Sequence, residues 1–310
     1  MATANIKIGS ASWADKSLLT SGMYYPSWCK TAEDRLRFYS SEFPMVEVDS
    51  SYYALPSSRN SSLWVERTPD DFVFNIKAFR LFTTHPTPPV ALPKDLRETM
   101  PPELAAKRNV YYADVPAAMR DRMWEMYRDG IMPLQSAGKL RVVVLQFPAW
   151  FMPRKSSFEH IDECRERLSG FKTAVEFRNK YWLSDENRES TLSYLRRNGM
   201  SYICVDEPQG MKSSVPPIAD VTADIGIVRF HGRNTEMWEA KGLTASPERF
   251  DYYYSRPELE EWAPKIESMR KDAAEVHLVM NTNAQDQAIK NGRLLAEIIG
   301  EGLKPAPTLF

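Results

Sequence analysis

Eight strand-like runs recur along this 310-residue chain, and most are followed by a helical pattern. Each run is rich in β-branched or aromatic residues and is bounded by turn residues, which is typical of buried strands. The runs are Ile6–Trp13, Met45–Tyr53, Phe72–Phe79, Leu140–Pro148, Lys172–Arg178, Ser201–Glu207, Ile225–Arg233 and Glu275–Asn283. Alternating strands and helices predict right-handed βαβ units and a parallel sheet. Eight units favour an α/β fold of the (β/α)8 TIM type, a closed barrel of eight parallel strands. No GxGxxG follows the first strand, which argues against a Rossmann domain.

The helical patterns lie where such a barrel requires them. They cover Thr31–Phe43, Ser57–Arg67, Ser156–Leu168, Ser184–Asn198, Pro257–Lys271 and Ala284–Ile299. In the fourth, we expect Ser184 to be the N-cap and Gly199 to follow the last turn.

Two connections depart from the regular repeat. The link between strands 3 and 4, residues 80–139, is far longer than one helix needs and contains a helical pattern near Pro116–Arg128. The link between strands 6 and 7, Pro208–Asp224, has no helical pattern, so one barrel helix is expected to be missing. Long connections of this kind often bind ligands or cover active sites. We expect residues 1–310 to form a single barrel domain that includes the long insertion.

Composition narrows the class of protein. The formal net charge of −1 gives no overall attraction to nucleic acid or to a membrane surface. Three widely spaced cysteines do not suggest a disulfide framework or a zinc motif. The start MATANIKIGS lacks a signal pattern, and no apolar run is long enough to span a bilayer. We therefore expect a cytoplasmic protein without membrane segments.

Polar side chains collect at the carboxyl ends of the predicted strands, which line one mouth of a barrel. In IGIVRFHGR of strand 7, alternation places Arg229, His231 and Arg233 on one face. The polar residues late in the other strands are Ser12, Glu47, Asp49, Ser51, Asn75, Lys77, Gln146, Glu176, Arg178, Asp206, Asn281 and Asn283. Because buried charges must be paired or bound to a ligand, this pattern predicts a functional site at the mouth.

Individual residue types suggest roles. Glu47 and Asp206 are the candidates for general acid and base. Lys77 suits anion binding or proton transfer, although a paired structural lysine is the alternative. Glu176 and Arg178 could be an ion pair that closes the barrel.

Three further features leave alternatives open. His231, between two arginines, could hold a phosphate or carboxylate, or could be a satisfied interior histidine. A magnesium or manganese site is the metal alternative, with the candidate ligands Glu47, Asp49, Glu176, Asp206 and His231. An aromatic group could stack a sugar or base or could pack the first loop down; it consists of Trp13, Tyr24, Tyr25, Trp28, Tyr52 and Tyr53.

The chain resembles the YecE-like family (domain of unknown function 72) nearly end to end. The matching motifs are IGSASW, YYPSW, VEVDSSYYALPS, FNIKAFRLFTTH, LQFP, AVEFRNKYW, ICVDEP, VRFHGRN, DYYYS and VMNTNAQDQAIKNGRLLAEII. The resemblance implies a TIM-type barrel, but it implies no particular activity. The positions that match the family's motifs are Trp13, Glu47, Ser51, Tyr53, Lys77, His85, Glu176, Arg178, Asp206, Arg229, His231, Gly232, Arg233, Asn281 and Asn291. At Thr282 and Asn283 the chain departs from the pair of asparagines that family members often carry.

Our leading hypothesis is an enzyme that acts on a small anionic, polar substrate at the mouth. Hydrolysis is the favoured reaction class, with lyase and isomerase chemistry as the alternatives. The predicted catalytic residues are Glu47, Lys77, Glu176 and Asp206. The predicted substrate-binding residues are Trp13, Tyr53, His85, Arg178, Arg229, His231, Arg233 and Asn281. The alternatives are a barrel that binds nucleic acid or processes phosphodiester ends, which the net charge does not favour, and a non-catalytic ligand-binding protein.

Overall fold

The computed structural model describes residues 4–211, 214–238, 240 and 249–303. Eight parallel strands close into a barrel in which each strand pairs with its neighbours in chain order. The strands are β1 Asn5–Ser10, β2 Met45–Val48, β3 Val73–Lys77, β4 Leu140–Phe147, β5 Thr173–Phe177, β6 Ser201–Asp206, β7 Ile225–Phe230 and β8 Glu275–Met280. The predicted (β/α)8 barrel is confirmed. The predicted strands ran too far at their carboxyl ends, since the last polar residues of several runs lie in loops.

Helices surround the barrel. They are α1 Lys16–Ser21, α2 Ala32–Glu42, α3 Ser50–Tyr53, α4 Ser58–Glu66, α5 Lys94–Glu98, α6 Pro102–Ala105, α7 Ala117–Ser136, α8 Lys155–Arg167, α9 Arg188–Arg197, α10 Thr235–Trp238, α11 Arg256–Glu260, α12 Ala263–Asp272 and α13 Gln287–Ile299. All six regions with a predicted helical pattern contain helix. The pattern at 257–271 is divided between α11 and α12.

Local capping explains where these helices begin. Thr31 accepts a hydrogen bond from the Asp34 amide, and the Asp34 carboxylate accepts one from the Thr31 amide, which forms a capping box at α2. The expectation that Ser184 caps α9 was wrong. Ser184 follows the short 3-10 helix Lys180–Leu183, and α9 begins only after Asn187. A turn formed by Asp185, Glu186 and Asn187 lies between Ser184 and the first residue of α9.

The two irregular connections are where the sequence placed them. Residues 80–116 hold short helical segments, and the 20-residue helix α7 then packs against α4. Gly130 allows this close approach, because a Cβ at that position would lie 2.1 Å from the Pro56 carbonyl oxygen. Between β6 and β7, the described residues contain no helix.

The interior of the barrel is layered, and this layering positions the site. Register pairs Ile227 of β7 with His277 of β8, and Arg229 with Val279 one layer higher. His277 is buried and contacts Asn75 Oδ1 at 3.1 Å in the lower layer. The charged side chains of the site, such as Arg229, therefore lie near the carboxyl ends of the strands, above a packed layer of the barrel interior.

The described residues bear on the expectations about cysteines and about membrane-spanning helices. Cys29, Cys164 and Cys204 are all buried and free. No helix in the described ranges is long and apolar enough to cross a membrane.

Candidate functional site

Arg229 is the centre of a polar network inside the barrel. Its side chain has no exposed surface, although it carries a full charge. Its Nη1 donates to Glu176 Oε2 at 2.5 Å, and its Nη2 donates to Glu47 Oε1 at 2.6 Å. Gln146 Oε1 accepts a third hydrogen bond at 3.2 Å. A buried guanidinium needs partners for its charge, and residues from three other strands bind the two terminal nitrogens of Arg229.

Glu176 connects Arg229 to a second arginine. The Glu176 carboxylate also pairs with the Arg178 Nε, and both glutamate oxygens are fully buried. Although burial opposes ionisation, the charges of Arg178 and Arg229 hold the Glu176 pKa well below its usual range. Glu176 is therefore a permanent carboxylate that fixes the positions of two guanidinium groups.

His231 lies beside this pair with its ring fully buried. Arg178 Nη2 lies 2.9 Å from His231 Nε2, and Asn281 Nδ2 lies 2.9 Å from His231 Nδ1. Burial first, and then the Arg178 charge, hold the pKa of His231 well below its usual range. The ring is therefore neutral at physiological pH and serves as a hydrogen-bonding group.

Glu47 differs from Glu176 although the same arginine contacts both. Burial raises the pKa of Glu47 to about 7, against the opposing charge of Arg229. The neighbouring Asp49 raises it further by repulsion, and Asp49 forms an ion pair with Lys77 Nζ at 3.1 Å. Glu47 Oε2 is buried and has no hydrogen-bond partner. One carboxyl group in the ring can thus change protonation state near neutral pH.

Glu207 is a buried acid that the sequence analysis did not assign to the site. Its Oε2 accepts from Arg178 Nη1 at 3.1 Å, and its Oε1 accepts from the Val215 amide at 2.7 Å. Burial raises its pKa to about 7, although the Arg178 charge opposes this. The only sequence signal was its position directly after Asp206.

A cavity of about 260 Å³ opens above the network. Its lining residues come from the loops that follow the strands, and they are His85, Gln146, Pro148, Ala149, Trp150, Arg178, Trp238, Arg249 and Phe250. Gln146 and Arg178 connect this cavity directly to Arg229 and Glu176.

The cavity has a positive environment. Burial and then the charges of Arg80, Lys77 and Arg178 lower the pKa of His85 to about 3. Burial and the charge of Arg178 also lower the pKa of Arg249. Within the described part of the chain, neither Arg80 nor Arg249 forms an ion pair with a carboxylate. An anion in the cavity would supply the negative charge that Arg249, which lines the cavity, lacks.

Asp206 lies outside this network, contrary to the expectation that the strand-end acids meet at one rim. Register pairs Asp206 with Phe230, which packs against the covering helices, and not with Arg229. Its two oxygens accept from Arg233, from the Tyr254 hydroxyl at 2.8 Å and from Trp262 Nε1 at 2.5 Å. Asp206 and Arg233 therefore join β6 and β7 to the segment that follows β7.

The aromatic residues also divide into two groups. Tyr24, Tyr25 and Trp28 surround Phe38 of α2, with ring centroids 5.4, 5.8 and 6.1 Å from it. These three rings pack the first loop against the outer helix, as the packing alternative predicted.

The other aromatic candidates lie nearer the strand ends. Trp13 contacts Trp64 of α4 edge to face at 5.7 Å. Tyr53 is 55% exposed, whereas Tyr52 faces the site, with Lys77 Nζ 5.8 Å and the His85 ring 5.2 Å from its ring centroid. Tyr52 therefore holds the position that the sequence analysis assigned to Tyr53.

The candidate metal ligands do not converge. In the ranges that the structure describes, no three His, Cys, Asp or Glu side chains are grouped so that they could hold a metal ion. The carboxylates proposed as ligands are instead bound by arginine and lysine, as in the Glu176 and Asp49 ion pairs.

Comparison with known proteins identifies the family. A family model described as a protein of unknown function, DUF72, matches residues 7–309. The chain belongs to the DUF72 family. The UPF0759 protein YunF of Bacillus subtilis (strain 168) is 30% identical to it over 307 residues, which is 97% of this chain and 98% of YunF.

Solved structures of DUF72 proteins share the fold. A DUF72 protein of Enterococcus faecalis V583 is similar with a TM-score of 0.78 and 22% identity, covering 98% of this chain and 99% of that one. A DUF72 protein of Thermotoga maritima MSB8 is similar with a TM-score of 0.74 and 26% identity, covering 96% of this chain and 100% of that one. The family resemblance predicted from the motifs is thus confirmed.

In this DUF72 protein, most of the predicted site residues form one assembly. The residues in the network are Glu47, Lys77, Glu176, Arg178, Arg229, His231 and Asn281, with His85 in the cavity wall. The residues outside it are Trp13, Tyr53, Asp206 and Arg233. Tyr52 belongs to the aromatic group named from the sequence. The residues that the sequence did not indicate are Arg80, Trp150, Glu207, Trp238 and Arg249, and the first three of these lie outside helices and strands.

Proposed function

We propose that this DUF72 protein is a hydrolase-type enzyme that acts on a small anionic, polar substrate at the mouth of the barrel. The observation that most supports this is the Glu47 carboxyl group, which is fully buried, has one unpaired oxygen and has a pKa of about 7. Glu47 lies below the cavity and is linked to its wall through Arg229 and Gln146. Strongly shifted pKa values are typical of catalytic groups, because proton transfer works best when the pKa is near the working pH.

The charged neighbours of Glu47 have two further proposed roles, electrostatic stabilisation and the positioning of arginines. Lys77 forms an ion pair with Asp49 that fixes the position of its ammonium beside Glu47, where this charge would stabilise negative charge that develops during the reaction. Glu176 is a poor base, because its pKa is held low, and it positions Arg178 and Arg229 instead. Glu47 is therefore the preferred proton-transfer group and Lys77 the preferred electrostatic group.

The cavity supplies the anion-binding part of the proposal. Arg178 and Arg249 line it, and the charge of Arg80 is close enough to lower the pKa of His85, another lining residue. Arginine binds phosphate and carboxylate oxygens through paired, charge-assisted hydrogen bonds. A substrate whose anion reaches these groups would bring its adjoining bonds close to the polar network below.

The test is a turnover screen with phosphate esters and carboxylate-bearing esters at neutral pH. Glu47→Gln keeps the size of the side chain but cannot transfer a proton, so we expect turnover to fall roughly 10²–10⁴-fold. Glu103→Gln, at an exposed position on α6, is the matched control and should retain full activity. Full activity of Glu47→Gln would contradict the assignment. Ligand binding without turnover of any ester would favour the non-catalytic alternative.

A further inference from the structure

The cavity above Arg229 has aromatic walls that the proposed chemistry does not use. Trp150, in the loop after β4, lines the cavity although 58% of its surface is exposed. Trp238 and Phe250, from the connection after β7, line it too, and their ring centroids are 6.1 Å apart. Large aromatic side chains exposed in a cleft usually mark a binding surface, since burial would otherwise be favoured.

The contacts of these rings place them around the charged groups. Trp150 lies edge to face with His85, with ring centroids 6.0 Å apart. The Arg178 guanidinium carbon lies 5.7 Å from the Trp238 ring centroid. The Arg178 guanidinium and the flat face of an aromatic ring therefore lie next to each other in one small cavity.

The volume limits what can enter. About 260 Å³ is below the roughly 300–1,000 Å³ of pockets that enclose drug-sized ligands. A single ring with its anionic group is consistent with this volume, whereas a larger, multi-ring ligand would extend into solvent.

We propose that the ligand of this cavity is a small compound in which one flat-faced ring, a sugar or an aromatic ring, carries a phosphate or carboxylate. The ring would lie against Trp150, and the anion would pair with Arg249 beside Arg178. This proposal rests on the proposed anion-binding role of the mouth and adds the ring as the feature that the site recognises.

Isothermal titration of the full chain tests the proposal with defined probes. The ring anions are phenyl phosphate, benzoate and glucose 6-phosphate, and the comparison probes are glycerol 3-phosphate, inorganic phosphate, glucose and benzyl alcohol. We expect at least one ring anion to bind about tenfold more tightly than every comparison probe, because stacking adds to the ionic contact. Comparison of phenyl phosphate with glucose 6-phosphate distinguishes an aromatic ring from a sugar.

Two variants with matched controls assign the contacts. Trp150→Ala should remove the advantage of the ring anion, while Trp28→Ala, which removes a tryptophan packed on α2, should not. Arg249→Gln should weaken all anions about tenfold or more, unlike Arg59→Gln at an exposed position on α4.

Three results would overturn the proposal: equal affinity for ring and acyclic anions, equal effects of Trp150→Ala and Trp28→Ala, or no anion binding at all. The binding readout also separates this proposal from the proposed function. Tight ring-anion binding together with unchanged turnover of Glu47→Gln would refute the catalytic assignment and support the ligand class. Loss of turnover in Glu47→Gln with no preference for ring anions would support the catalytic assignment and refute the ligand class.

Discussion

Replacement of Arg229 by methionine is the most direct test of the buried network. The guanidinium donates to Glu176 at 2.5 Å and to Glu47 at 2.6 Å, and all three side chains are inaccessible to solvent. Removing one partner of a buried ion pair typically costs about 3–5 kcal/mol, because the remaining charge is left without compensation. Glu176 keeps its contact with Arg178, so the uncompensated charge falls mainly on Glu47. We therefore expect a loss of about 3 kcal/mol in the free energy of unfolding.

The loss should depend on pH in a defined direction. Burial already raises the pKa of Glu47 to about 7, and Arg229 opposes this increase, so the Arg229→Met variant should have a still higher pKa. The folded state then binds more protons than the unfolded state over a wider range, and stability falls as the pH rises through that range. The penalty should be smaller at about pH 5.5 than at about pH 8, by at most roughly 1.4 kcal/mol, because only the pH unit between about 7 and 8 lies above the Glu47 pKa in this comparison.

Urea denaturation followed by circular dichroism at both pH values measures these differences. The matched control is Lys172→Met, which breaks an ion pair with Asp224 at 2.9 Å between two exposed side chains. Exposed pairs contribute about 0–1 kcal/mol, so this variant should be close to the unmodified protein at either pH. If Arg229→Met loses no more than Lys172→Met, or loses the same amount at both pH values, the account of the network is wrong.

Three further predictions concern other parts of the molecule. Gly130→Ala should destabilise the protein by about 1–3 kcal/mol, because the new Cβ would meet the Pro56 carbonyl, and Gly302→Ala, where a Cβ meets nothing within 4 Å, should leave the melting temperature unchanged. Asp206→Asn should lower the melting temperature but preserve kcat on any substrate found, since this carboxylate anchors the segment after β7; a selective loss of kcat would restore its predicted catalytic role. The His85 ring should show no titration by NMR between about pH 5 and 8, because its pKa is lowered to about 3. A His85 titration midpoint near 6.5 would show that the cations do not surround it as described.

Much of the candidate site could be predicted from the strand ends. Glu47, Lys77, Glu176 and Arg229 come from four separate strands, and the closed ring brings them into one network, as the strand-end pattern predicted. Their residue types at the carboxyl ends of strands were sufficient, because a barrel directs all those ends to one mouth.

The sequence could not resolve which of two adjacent acids faces the ring. Asp206 and Glu207 are consecutive, and β6 has apolar residues on both faces, so alternation gives no preferred phase. The register between β6 and β7 decides which acid faces the barrel interior. Asp206 pairs laterally with Phe230 and lies under the covering helices, whereas Glu207 accepts a hydrogen bond from Arg178.

The sequence alone determined the closed eight-stranded ring and the mouth at which its polar residues gather. Strand and helix patterns depend on local sequence, and the usual fold for eight successive strand–helix units is a closed (β/α)8 barrel. Only the tertiary structure decided that Glu47 titrates near neutral pH while Glu176 stays ionised. Both are buried glutamates beside Arg229, but Glu176 is also paired with Arg178, whereas Glu47 lies next to another carboxylate, Asp49. A pKa depends on burial and on charges brought together from distant parts of the chain, and those distances exist only once the barrel has closed.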